Sequence, residues 1–356
     1  MAATTEAWPR TTQAWIYNSA SAGLDKSLQL HTDTAPPPKA LLGRESVLVR
    51  VSYMSLNPAD YKLAELGLLS RALITPPASP GMDYSGTVVS VGSNVTAYKP
   101  GQSVFGRIEP TKFGTLAEYI IVKNGEGLAP APEGFEEKMD QLACVGTCGL
   151  TALQSIQPYV PGPGSVKGEK IFINGGSGGT GTFGIQIAKA LGLHVTVSCS
   201  GANAELCRSL GADDVIDYKT ENISEVLKSK GKVFTLVVDN VGYTPAGQQD
   251  LYTAADEYLT EDGHFIQVGG GASAQQIKSA VTRSLMPAFL GGGRRNFKMI
   301  MTKQSHESLA KIGDWIKKGK VKPVIDEEFA FENAPAAYEK LKTGRARGKI
   351  VVKVTK

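Results

Sequence analysis

Short runs in which apolar and polar residues alternate fill the first third of the chain: SVLVRVSYMSL (46–56), DYSGTVVSVG (83–92), SVFGRI (103–108) and AEYIIV (117–122). A period of two predicts half-buried strands, and the Gly, Pro and Asn residues between the runs predict tight connections. Short strands at this spacing predict a compact, barrel-like β unit. A helical period begins near Asp140, in MDQLACVGTCGLTALQSIQ (139–157).

From Lys170 the pattern changes. KIFIN, HVTVSCS, DVIDY, FTLVVDNVG and HFIQVGG read as strands, and TFGIQIAKALG, AELCRSLG and ISEVLKSKG between them as helices. Phe183, Ile187 and Leu191 form one apolar stripe in the first helix, and Gly211 closes the second. Strands alternating with short helices predict an α/β fold with a doubly wound parallel sheet. FKMIMT, ESLAKIGDWIKKG and GKIVVKV then give strand, helix and strand, and are expected to rejoin the first unit. The expected division is 1–148 with 300–356 as one domain and 149–299 as a dinucleotide-binding domain.

Composition narrows the class. The 356 residues are 42% hydrophobic and 20% charged, with a net charge of +4 and no dense Lys/Arg block. This excludes global disorder and gives no basic stripe for a nucleic-acid backbone. Cys144, Cys148, Cys199 and Cys207 lack CxxC spacing, and the four His residues form no HExxH or other paired ligand spacing. A disulfide framework and a Cys-rich metal site are therefore not expected, and a reducing compartment is. With no apolar run of about 18 residues and no signal-peptide core, the expected location is cytoplasmic, without a membrane partner.

The stretch NGGSGGTGTFG (174–184) carries the candidate chemistry. A triphosphate loop needs Lys after its last Gly, where Thr182 stands, so that reading fails. A dinucleotide loop needs a strand before it, a helix after it, and glycines that bring backbone amides to a pyrophosphate; KIFIN and TFGIQIAKAL supply the flanks. Gly176, Ser177, Gly178, Gly179, Thr180 and Gly181 are the expected pyrophosphate turn, and Gly184 a helix-packing glycine. An NAD site places an acid about 20 residues on, at the second strand's end. Ser200, Gly201 and Asn203 stand there, with no acid before Glu205, which favours NADPH and its 2′-phosphate. Arg208 or Lys219 is available to supply the charge. Tyr218 and Asn240 are counted with Ser200 and Asn203 among the cofactor contacts.

GGSGGTG, SLGADDVIDY, SLNPADYKL, GTLAEYIIV, GLTAL and the terminal GKIVV together resemble the medium-chain dehydrogenase/reductase superfamily, and within it the zinc-independent quinone oxidoreductase and enone reductase branch. The resemblance covers nearly the whole chain. It implies a GroES-like β-barrel catalytic domain, completed by the C-terminal segment, around a Rossmann domain, and it implies homodimers. It places Thr151, Val268 and Gly269 at the cofactor, and Lys349 within reach of the nucleotide. The usual hydrophobic residue of the loop is Thr180 here.

The resemblance also bears on metal. The superfamily's catalytic zinc ligands correspond to Asn57, Met82 and Cys148 in this chain, which is not a tetrahedral zinc donor set. No metal is expected. Without a Lewis acid the hydride acceptor has to be electrophilic already, as a quinone or an α,β-unsaturated carbonyl is. In NPADYKLAELG the resemblance to an NPxDxK pattern assigns Lys62 to the cofactor ribose or the substrate oxygen, and Asn57 to the nicotinamide or the substrate carbonyl. Tyr61 is the third catalytic candidate, while Asp60 is expected to hold the loop by local hydrogen bonds. Enoyl thioester reductases of mitochondrial type carry a Tyr proton donor where Leu69 stands. The expected activity is NADPH-dependent reduction of an enone, enoyl or quinone substrate. The alternatives are a trans-acting enoyl reductase of a polyketide pathway and a non-catalytic, crystallin-like or sensor NADPH binder.

Overall fold

A computed structural model describes residues 8–67, 74–110, 113–160, 168–243, 248–268 and 295–355. The chain divides into two compact units, Met1–Leu150 with Lys303–Lys356, and Thr151–Thr302.

The first unit is built on strand Ser46–Ser55, whose Val47, Val49 and Val51 are fully buried. It pairs antiparallel with Asp83–Val91 along its length, with Tyr119–Lys123 at its start and with Lys349–Lys353 at its end. Ser103–Arg107 and Leu128–Pro130 extend the sheet beyond Asp83–Val91, and Ile325–Ala330 joins Lys349–Lys353 in parallel. Residues far apart in sequence therefore share one sheet, over a core that includes Met54, Tyr84, Val104, Tyr338 and Val352.

NPADYKLAEL, taken from the sequence as a loop, forms helix Pro58–Glu65, with Asn57 at the N-cap and Pro58 in the first turn. Proline fits there because its missing N–H would have no intrahelical partner. The helix buries only Ala64 and Asp60, so it shows no apolar stripe.

The second unit holds six parallel strands in the order Asp214–Asp217, His194–Cys199, Lys170–Asn174, Phe234–Asp239, Leu259–Gln267, Asn296–Met299. Numbered within the unit this is 3-2-1-4-5-6, the dinucleotide-binding order, whose switch point lies between Lys170–Asn174 and Phe234–Asp239. Helix Gly179–Ala190 starts three residues earlier than its apolar stripe suggested, and Gly181–Ala188 are all buried rather than one face of them. Among the described residues, no helix is long and apolar enough to cross a membrane.

Candidate active site

In the first unit, strand Ser46–Ser55 delivers the chain to Asn57, which is buried with its side chain facing inward. Asn57 Nδ2 donates to Asp83 Oδ2 at 2.9 Å, and Asn57 Oδ1 accepts from Lys349 Nζ at 2.6 Å and from Cys148 Sγ at 3.6 Å. Lys349 also donates to Leu56 O at 2.8 Å and lies 3.4 Å from Asp83 Oδ2. Asp83 Oδ1 accepts from Thr147 N at 2.7 Å and Thr147 Oγ1 at 2.6 Å, and Ser55 Oγ donates to Oδ2 at 3.2 Å. Lys349 and Asp83 are 2% and 0% exposed, so this is a fully desolvated ion pair.

Lys349, expected within reach of the nucleotide, instead spends its three ammonium protons on Leu56, Asn57 and Asp83. Burial alone would lower its pKa, but the acidic groups around it, Cys148 and Asp83 foremost, hold it above the usual lysine range.

The donor set does not fit zinc. Asn57 and Cys148 touch each other beneath an ammonium, and Met82 Sδ accepts from Arg107 Nη2 at 3.7 Å. A divalent cation would have to displace or face two resident positive charges, with one thiol as its only strong ligand. Among the described residues, no three His, Cys, Asp or Glu side chains gather in a way that holds a metal ion.

Asp60 is the unexpected member of this region. Its Oδ2 accepts from Asn57 N at 2.8 Å, the local bond expected of it, but its Oδ1 is buried with no partner among the described residues. Burial pushes its pKa up to about 7, assisted by the negative charge of Asp83 and opposed by the Asn57 N–H, Lys349 and Arg107. The folded chain thus holds a proton on Asp60 that the unfolded chain releases. This stabilises the fold below the usual carboxylate pKa, and the stabilisation is lost as pH rises through about 7. From this group alone, stability is expected to fall by up to about 4 kcal/mol between pH 4 and pH 8. Urea midpoints across that range check this; Asp60→Asn should flatten the slope.

Tyr61 is half-buried, with the Lys342 ammonium 5.4 Å from its ring centre, and Lys62 is exposed. Of the three catalytic candidates, Asn57 stands inside the buried network. Leu69 lies outside the described residues.

In the second unit, Asn174 ties three strand ends together. Its Nδ2 donates to Asp239 Oδ1 at 2.8 Å, and its Oδ1 accepts from Ser198 Oγ at 2.5 Å. The loop leaves from there: Gly175 N donates to Ser198 Oγ at 3.0 Å and Gly176 N to Ser198 O at 2.8 Å. A Cβ on Gly181 would lie 2.2 Å from Gly175 O, so the tight turn accepts only glycine there. A Cβ on Gly184 would meet Ile173 Cδ1 at 3.3 Å, which gives that residue its close packing against strand Lys170–Asn174. Gly178 caps helix Gly179–Ala190 without a side chain, so the first-turn N–H groups around Gly179, Thr180 and Gly181 are turned to the loop side.

Asn240 follows strand Phe234–Asp239 at the switch point, and both polar atoms of its amide are buried without a partner among the described residues. An empty donor and an empty acceptor beside a glycine turn fit a dinucleotide. Val268 N donates to Asp239 O at 2.9 Å on the next strand. Gly269 lies outside the described residues. Thr151, in helix Gly146–Ile156, is buried with its hydroxyl against that of Thr302.

Ser177 and Asn203 come together, with Asn203 Nδ2 donating to Ser177 Oγ at 3.1 Å. Asn203 N donates to Ser200 O at 2.8 Å, and Tyr218 N to Cys199 O at 3.2 Å, which sets the 44%-exposed Tyr218 beside the same strand end. A count along the sequence misses one neighbour here. Asp217 lies in register with Cys199, and its Oδ2 stands 2.5 Å from where a Cβ of Gly201 would be. Only the pairing of adjacent strands reveals it.

Comparison with known proteins agrees with this geometry. Residues 43–133 match the family described as alcohol dehydrogenase GroES-like domain, and 210–352 match the family described as zinc-binding dehydrogenase. The chain is 44% identical to trans-enoyl reductase pgmF of Aspergillus terreus, over 97% of each chain. It is 34% identical to a mitochondrial NAD(P)H oxidoreductase of Homo sapiens, over 86% of this chain and 81% of that one. A quinone oxidoreductase structure from Coxiella burnetii superposes with a TM-score of 0.80 at 27% identity, over 97% of this chain and 100% of that one. With a GroES-like unit, a 3-2-1-4-5-6 parallel sheet and relatives matched end to end, the chain belongs to the medium-chain dehydrogenase/reductase superfamily, in its enoyl reductase branch, and is an oxidoreductase working with a nicotinamide cofactor.

Proposed function

We propose that the protein is an NADPH-dependent reductase of conjugated carbon–carbon double bonds in enone or enoyl substrates, with quinones as further acceptors, and that it works without zinc. The observation that carries this reading is the Lys349–Asn57–Asp83 network. A lysine ammonium stands among the positions that correspond to zinc ligands, so an acceptor gains no polarisation from a metal and has to be conjugated. Bound NADPH supplies the hydride.

The chain's own residues bind and orient. Gly176, Ser177, Gly178, Gly179, Thr180 and Gly181 would hold the pyrophosphate, with Asn240, Val268, Gly269 and Thr151 toward the nicotinamide end. Ser200, Asn203 and Tyr218 offer neutral donors for a 2′-phosphate, opposed by the Asp217 carboxylate at the same strand end, and Lys62 is the contact proposed for ribose or substrate oxygen. Asn57, with both ends of its amide engaged, fixes the buried charge pair rather than reaching outward.

The match to a trans-enoyl reductase over nearly the whole chain supports a second reading, a trans-acting enoyl reductase whose enoyl substrate rides on a polyketide-synthase carrier. One experiment tests both. Pure protein is mixed with NADPH or NADH and, separately, with free enones, quinones, an enoyl thioester and a carrier-bound enoyl chain. Turnover of conjugated acceptors with NADPH is expected, with NADPH binding at least tenfold tighter than NADH, a difference of about 1.4 kcal/mol. Turnover of the carrier-bound substrate alone selects the trans-acting reading. Tight NADPH binding with silence across the panel overturns both in favour of a non-catalytic binder.

A further inference from the structure

An acid that binds the adenosine ribose ordinarily stands at the end of the second strand of a dinucleotide-binding sheet. Here that strand, His194–Cys199, runs into Ser200 and Gly201 without one. The neighbouring strand fills the gap. Asp217 is the last residue of Asp214–Asp217 and lies in register with Cys199. A Cβ built on Gly201 would be 2.5 Å from Asp217 Oδ2 and 3.3 Å from its Cγ. The carboxylate thus fills the space where a side chain at position 201 would begin. Its aim is fixed locally: Oδ1 accepts from Lys219 N at 3.0 Å, and Asp217 N donates to Glu221 Oε2 at 2.9 Å. Among the described residues, Oδ2 receives no hydrogen bond.

The glycine turn leans on this same end of the sheet. Gly175 N and Gly176 N donate to Ser198, and Asn203 Nδ2 donates to Ser177 Oγ at 3.1 Å. The chain from Ser198 to Gly201 therefore leads from the turn to the Asp217 carboxylate. Charges of both signs reach it, since Asp217 and Arg208 act in opposite directions on the Cys199 thiol. Gly201 is exposed and Asp217 partly so, which leaves the carboxylate open to a ligand. A carboxylate accepts a hydrogen bond from a ribose hydroxyl, whereas a phosphate in that place has no proton to donate and adds like charge.

On the reading above that sets the adenosine ribose at Ser200 and Asn203, we infer that Asp217 determines how strongly the protein tells NADPH from NADH. Its Oδ2 accepts from the free 2′-hydroxyl of NADH and repels the 2′-phosphate of NADPH. The neutral donors Ser200, Asn203 and Tyr218 work against that repulsion, so Asp217 caps the NADPH preference. Discrimination comes from a repulsive element, and the third strand supplies it rather than the second.

Asp217→Asn tests the assignment, because the amide keeps the volume and the acceptor for Lys219 N but loses the charge. Calorimetric titration with NADPH, NADH, 2′,5′-ADP and 5′-AMP reads binding without turnover. NADPH and 2′,5′-ADP should bind the variant about tenfold tighter than wild type, and NADH and 5′-AMP no tighter. The gain should shrink at about 1 M salt, where such charges are screened. Asp214→Asn removes the same charge about 10 Å away along the strand, and should move the NADPH-to-NADH ratio by less than about twofold. Gly201→Ala should push the carboxylate tip aside and raise the ratio in the wild type, but not in Asp217→Asn, where the tip is uncharged. An unchanged ratio in Asp217→Asn overturns the assignment, as does an equal shift in Asp214→Asn. If Asp217→Asn does not fold, an unchanged ratio in Gly201→Ala overturns it equally. A wild type that binds NADH more tightly than NADPH defeats the NADPH reading instead. Asp217→Asn must still move the ratio toward NADPH, which separates the two failures.

Discussion

Lys349→Met is expected to destabilise the first unit by about 3–5 kcal/mol, because it leaves the carboxylate of Asp83 buried without its cation. Asp83 would keep its neutral donors, Ser55, Asn57 and Thr147, so the loss reports the missing charge rather than a collapsed network. Asp83→Asn in the same chain should recover much of the loss by removing the stranded charge. The double-mutant cycle then isolates the pair. The measurement is well placed, since Trp8, Trp15 and Trp315 are the chain's three tryptophans and all belong to the first unit. Their fluorescence follows that unit through urea unfolding without a signal from the other. A Lys349→Met midpoint equal to wild type would show that the pair contributes nothing net.

Gly181→Val is expected to weaken cofactor binding by about 100-fold. Its Cβ would sit 2.2 Å from Gly175 O and 2.7 Å from Gly176 O, and both obstacles are backbone. No rotamer change relieves them, so the turn itself must open by about 1 Å, a displacement that costs on the order of 100-fold where several groups have to converge. At an NADPH concentration about 100 times the wild-type Kd, the wild type should gain about 2.7 kcal/mol of apparent stability and the variant only about 0.4. Gly184→Ala is the control. Its methyl meets the flexible end of Ile173 at 3.3 Å, and a small shift accommodates it. Undiminished NADPH binding by Gly181→Val would show that the pyrophosphate lies elsewhere.

The parallel sheet was legible because its strands are buried on both faces and so read as unbroken apolar runs, KIFIN and FTLVV among them. The glycine turn was legible because its demands are local: strand, close approach, helix. Helix Pro58–Glu65 was not, since it buries Ala64 and a carboxyl and leaves no 3.6-residue period to find. Nor was its consequence for Asp60. A local bond to Asn57 could be anticipated from the sequence, but the unsatisfied second oxygen depends on what the rest of the unit withholds. The charge pair was out of reach for a different reason: Asp83 and Lys349 are 266 residues apart, and nothing near either names the other. One hint was present, in that Lys349 opens the apolar run KIVV, where a solvated lysine has little reason to be. Asp217 beside Gly201 likewise emerges from strand register, which no count along the chain contains.

The insertion of Thr151–Thr302 between the two parts of the first unit sets an order of assembly. At about 5–20 residues per second on the ribosome, Lys349 emerges on the order of tens of seconds after Asp83. The inserted unit is by then fully synthesised and its strand–helix repeats are free to fold, while the strand Ser46–Ser55 still lacks its neighbour Lys349–Lys353. The half of the molecule begun first is therefore finished last. Until the returning strand docks, Asp83 lacks the Lys349 ammonium and its carboxylate depends on water for solvation. The ammonium of Lys349 thus reaches Asp83 only after the inserted unit has been made.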